Sequence, residues 1–155
     1  MPDLHPSLEP LAFLVGTWRG RGRGVYPTIE PFEYIEEIVV GHTGKPFLRY
    51  DQRTWDIDAE DPLHTETGFW RLGPPGRVEL IVAQPTGIAE VDEGIVEGTS
   101  LRVRSRLVGL TRTAKAVSSV ERILRVDGDE MQVELLMEAM GREHQLHLEA
   151  TLLRS

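Results

Sequence analysis

From Gly16 to Ser155 the sequence breaks into short runs of alternating apolar and polar residues, each stopped by a cluster of turn formers. This punctuation constrains the fold more than any other feature, because alternation with a period of two is the mark of half-buried strands. Strands are predicted over residues 17–25, 32–40, 47–55, 65–72, 78–83, 87–96, 101–107, 117–126, 131–139 and 144–153. Turn signals lie at Gly44 with Pro46, at residues 56–62, 73–76 and 92–94, and at Asp127-Gly128. Only residues 7–15 carry helical spacing, through Leu8, Leu11, Ala12 and Val15. Ser7 is the expected N-cap and Gly16 the stop, with Pro10 in the first turn, where proline is tolerated.

About ten strands on short connections predict an antiparallel up-and-down meander, and closing it into a barrel removes its exposed edges. The expected fold is therefore all-β, a single antiparallel barrel domain over residues 1–155 with a short N-terminal helix. A barrel of this size is wider than side chains alone fill, so an interior cavity is expected, and with it a bound ligand.

Composition narrows the ligand. There is no cysteine among the 155 residues, which excludes disulfides, thiolate zinc sites, iron–sulfur clusters and thiol catalysis. A metal must be held by His, Asp or Glu. The net charge of −8 is a poor match for nucleic acid or an anionic membrane. Arg19, Arg21 and Arg23 share a strand face, but three charges make a weak patch and read as a solvated surface. No apolar run reaches membrane-spanning length, and no signal sequence is recognisable, so the expected location is the cytoplasm.

Two segments carry more. Gly16-Thr17-Trp18-Arg19-Gly20-Arg21-Gly22 matches a G-x-W-x-G-x-G signature, followed by Tyr26-Pro27-Thr28 and Phe32-x-Tyr34-x-Glu36-Glu37. The last strand reads His147-Leu148-Glu149-Ala150-Thr151-Leu152-Leu153-Arg154, matching H-L-x-A-x-L-x-R/K. Both patterns, in this order, resemble the nitrobindin family, β-barrels related in shape to lipocalins and fatty-acid-binding proteins. The physical reading of the first segment is architectural: an indole plugs one end of the barrel while glycines let neighbouring chains approach.

The resemblance implies one haem b per subunit with His147 as axial iron ligand, and it places Thr28 and Lys115 at the haem. It further implies nitric oxide binding and isomerisation of peroxynitrite to nitrate at ferric haem. The alternative is a non-catalytic carrier of a fatty acid or another small hydrophobic ligand. Monomer and homodimer both stay open.

Simple alternation along residues 144–153 puts His144 with Leu146, Leu148, Ala150 and Leu152, and His147 on the opposite face. A β-bulge would reverse that parity, so His147 is kept as ligand with His144 in reserve. His5, His42 and His64 read as loop or terminal residues. Glu36, Glu37, Asp56, Asp58, Glu60 and Asp61 read as solvated acids, although Glu36 interrupts the apolar parity of Phe32, Tyr34, Ile38 and Val40. Candidate cavity walls are Phe32, Tyr34, Phe47, Trp55, Phe69, Trp70 and Met140. No nucleophile elbow, P-loop or dinucleotide fingerprint is present.

Overall fold

A computed structural model describes residues 2–25 and 29–155. Ten strands follow a short helix: β1 Gly16–Gly24, β2 Phe32–His42, β3 Leu48–Asp56, β4 Pro62–Leu72, β5 Arg77–Gln84, β6 Ile88–Glu97, β7 Ser100–Leu110, β8 Val117–Asp127, β9 Glu130–Ala139 and β10 Gln145–Arg154. Each is antiparallel to its chain neighbour, and β1 also pairs with β10, from Trp18↔Arg154 to Gly24↔Leu148, so the sheet closes into a barrel. Every expected strand is found within a few residues of its expected limits.

The helix differs in kind. Pro6–Leu14 is a 3-10 helix capped by His5, whose Nδ1 accepts from the Ser7 N–H, so Ser7 is not the cap. The reason is visible in the leucines: Leu8, Leu11 and Leu14 are all fully buried, and a spacing of three lines them up only at three residues per turn. They seal one end of the barrel against Trp18, whose Nε1 donates to the Leu14 carbonyl at 2.9 Å. Arg154 stacks its guanidinium 4.2 Å from the Trp18 ring and donates to the Val15 carbonyl, tying the last strand to the first.

Residues 92–94 are not a turn. They lie within β6, where Gly94 faces Val103 and a side chain would run into the Arg102 carbonyl. The β6–β7 reversal comes instead at Gly98-Thr99, with Gly98 at φ +57°. Two further glycines act on the interior. A Cβ at Gly22 would overlap the Tyr34 ring, and one at Gly24 the Phe32 ring, so these aromatics lie across bare backbone at the open end. Arg19 and Arg23 sit outside, paired with Glu37 at 3.6 Å and Glu149 at 3.1 Å.

Candidate functional site

The open end is where β1 finishes and where β2 and β10 begin. There β10 is irregular: Leu146 pairs with Leu136 and Leu148 with Leu135, leaving His147 as an extra residue without a counterpart on β9. Such a bulge shifts the alternation by one place. Leu148, Ala150 and Leu152 keep the inward parity, and His147 is buried beside them at 4% exposure. Its Nδ1 lies 2.9 Å from the Gln145 carbonyl oxygen. A carbonyl only accepts, so Nδ1 carries the proton and the lone pair of the neutral ring is on Nε2. Metal-ligating imidazoles are oriented by a bond of this kind.

His144 lies before the bulge. Its Nδ1 and Nε2 are 3.2 Å from Ser119 Oγ and from Glu121 Oε1, and Glu121 alternates with the cavity-lining Val120 and Arg122. This histidine therefore sits on the outer face. Lys115 is exposed in the loop after β7, at the same end of the barrel as His147. Thr28 lies outside the described residues.

A cavity of about 330 Å³ opens at this end. Phe32, Leu63, Trp70, Leu135, Met137 and Leu148 form apolar parts of its wall, and His147 and Lys115 are not among its described lining residues. Of the aromatics expected in the wall, Phe32, Tyr34 and Trp70 line it. Phe47 and Phe69 instead meet edge-to-face at 5.4 Å, with Phe69 exposed on the outer surface; Trp55 stacks with Arg19 and Arg53; Met140 is exposed in the turn before β10. Strand parity puts Trp55 and Phe69 outside, while Phe47 and Met140 lie just beyond strand ends.

The cavity floor is polar, a feature the sequence reading missed. Arg122 on β8 donates through Nη1 to Glu66 Oε2 at 2.5 Å, through Nη2 to Glu90 Oε2 at 2.7 Å and through Nε to Glu90 Oε1 at 3.3 Å. Asp92 Oδ2 is 3.5 Å from Nε. Glu66 also accepts from the Tyr50 hydroxyl at 2.9 Å and lies 3.1 Å from His64 Nε2. Gln84 donates to Glu90, and Gln52 donates to Glu36 at 3.2 Å. Glu36, which reads as a solvated acid, and His64, which reads as a loop residue, both line the cavity.

These environments set different protonation states. Burial alone would raise Glu66, but the Arg122 guanidinium overrides it and holds the carboxyl at about 2. Glu36 has no such partner at close range, and burial lifts it to about 7. Burial and then the Glu90 carboxylate push Asp92 up to about 8. The signal for this cluster was parity: Glu36, Gln52, Glu66, Glu90 and Arg122 all occupy inward positions of their strands.

For haem the fit is favourable on this structure's own observations: a buried imidazole whose Nδ1 is already committed to a carbonyl, beside a largely apolar wall. The sequence model of the family described as "THAP4-like, heme-binding beta-barrel domain" matches residues 7–154. A protein of Mycolicibacterium paratuberculosis named Peroxynitrite isomerase 1 is 47% identical over 156 residues, covering 98% of this chain and 97% of its own. Peroxynitrite isomerase 1 of Mycobacterium tuberculosis is 47% identical over 159 residues with the same coverage. The crystal structure of Rv2717c from M. tuberculosis superposes with a TM-score of 0.93 at 48% identity, covering 99% of both chains. The chain thus belongs to the THAP4-like haem-binding β-barrel family.

Proposed function

We propose that this protein is a haem-dependent peroxynitrite isomerase, working as one barrel domain in which His147 would hold the haem iron. Bound haem supplies the iron centre at which peroxynitrite rearranges to nitrate. The rearrangement moves no net proton or electron, so no protein acid has to complete it.

The chain's own part is to hold and to enclose. His147 presents Nε2 while the Gln145 carbonyl fixes the ring through Nδ1. The bulge that makes this residue supernumerary on β10 turns its ring out of the solvent. Phe32, Leu63, Leu135, Met137 and Leu148 keep water from the reacting species and limit its escape. By the resemblance, Thr28 and Lys115 would contact the haem, and the Lys115 ammonium would pair with one of its carboxylates. The group is read as haem b.

The observation that carries this reading is the buried, carbonyl-anchored His147 in a chain alike over its whole length to proteins named peroxynitrite isomerase. No observation favours the non-catalytic carrier. Nitric oxide is read as a second small ligand of the same site, and the cytoplasm as the location. A homodimer would use the outer face, where Phe69 and Ile81 pair across β4 and β5 and are both exposed. Stopped-flow decay of peroxynitrite, with nitrate quantified as product, tests the activity. Haem-loaded protein is expected to speed decay in proportion to its concentration and to raise the nitrate yield. Decay no faster than with an equal amount of free haemin would overturn the reading.

A further inference from the structure

An arginine inside an apolar barrel is ordinarily a receptor for a ligand carboxylate, because its planar fork matches that group. Arg122 is not available for this. Its Nε and both Nη atoms are already engaged by Glu66 and Glu90, and Asp92 stands 3.5 Å from Nε. One guanidinium therefore faces three carboxyl groups. A fourth, Glu36, lines the same cavity and accepts from Gln52.

A separate observation shows what the floor still lacks. Gln52 is 6% exposed and lines the cavity, and its Oε1 is a buried acceptor with no hydrogen-bond partner among the described residues. Trp70 Nε1, also on the cavity wall, is a buried donor with no hydrogen-bond partner among the described residues, and any oxygen acceptor can take it. An anion brought to the floor would meet carboxylates and a bare amide oxygen; the Trp70 N–H offers it one neutral donor, and the Arg122 guanidinium is already engaged. A cation would meet the carboxylates and the Gln52 oxygen favourably, and a hydroxyl can donate to that oxygen or accept from the Trp70 N–H.

We propose that the barrel floor selects ligands by head-group charge, accepting a cationic or uncharged head group with Glu36 as the counter-ion of a cation, and refusing a carboxylate. Glu66 and Glu90 are committed to Arg122, so Glu36 is the group whose state adjusts. Burial poises it near neutrality: a cation draws it to the ionised form, and an alcohol leaves it protonated. Any ligand with an apolar body and carboxylates, a porphyrin among them, must then keep its carboxylates toward the mouth. The inference does not depend on the haem reading, and each can fail alone.

The test is calorimetric titration of the full-length, haem-free chain near neutral pH with three probes of equal chain length. These are dodecyltrimethylammonium and dodecanoate, each below its micelle concentration, and dodecanol below its solubility limit. The expected order is cation tightest and carboxylate weakest, with about tenfold or more between them. Dodecanoate binding as tightly as dodecanol, or the cation binding no tighter than dodecanol, overturns the proposal. Glu36→Gln should remove the cation's advantage and leave dodecanol affinity unchanged, which also shows that the cavity is intact. Retention of the advantage counts against Glu36. The double change Glu66→Gln with Glu90→Gln releases Arg122 and should raise dodecanoate affinity about tenfold. A folded double variant without that gain contradicts the neutralisation argument. If the double variant does not fold, the wild-type ranking and Glu36→Gln decide.

Discussion

Replacing Glu36 by glutamine removes one ionisable group from the barrel interior while keeping its shape and an oxygen to accept from Gln52. In the folded protein burial raises this carboxyl from 4.5 to about 7. That rise corresponds to about 3 kcal/mol between the protonated and ionised forms. The sign follows from linkage. An acid whose folded pKa lies above its unfolded one favours the fold while it stays protonated. Its contribution is fully present below about pH 4.5 and is lost as pH rises through about 7. Wild type should therefore lose stability relative to Glu36→Gln over this window, by up to about 3 kcal/mol at pH 8 compared with pH 4.5. Comparing the variant with wild type at each pH cancels the other titrating groups, Asp92 among them. Urea unfolding of both proteins across the window measures the difference directly. A difference that stays constant with pH would refute the claim that Glu36 is held protonated by burial.

Other substitutions test the architecture. His144→Ala removes two outer-face hydrogen bonds and should cost about 1 kcal/mol while leaving the haem stoichiometry unchanged, as read by denaturant unfolding and a haemin titration. Gly22→Ala forces a methyl group into the Tyr34 ring and should cost about 1–3 kcal/mol. Gly41→Ala, whose Cβ would meet nothing within 4 Å, serves as the control for that thermal-unfolding comparison. Trp18→Phe loses the bond to the Leu14 carbonyl at the sealed end and should cost about 1–2 kcal/mol, with haem uptake at the far end unaffected.

The barrel was legible because alternation is a local property, and ten alternating runs on short turns have few ways to close. Features that depend on partners were harder to read. The 3-10 helix shares its apolar residues with an α-helix, and only the tertiary demand on Leu8, Leu11 and Leu14 together selects the tighter winding. Gly94 reads as a turn former until the approach of Arg102 on β7 is seen. The sequence leaves two parities open at His147, because a supernumerary residue on one strand is defined only by the register of the next. The buried cluster was overlooked for a related reason. Glu66, Glu90 and Arg122 lie on three separate strands, and each alone looks like a solvated charge on a half-exposed strand. Glu36 broke an apolar parity openly, and that break was the one sign that polar groups enter the barrel.

Haem binding in this barrel is assigned to one imidazole, and haemin titration of His147→Ala beside His144→Ala and wild type tests that assignment most directly. Wild type and His144→Ala should take up one haem with a normal Soret band. His147→Ala should keep its β-sheet circular dichroism and fail to bind haem stoichiometrically. A His147→Ala protein with full haem content and an unshifted Soret band would contradict the assignment.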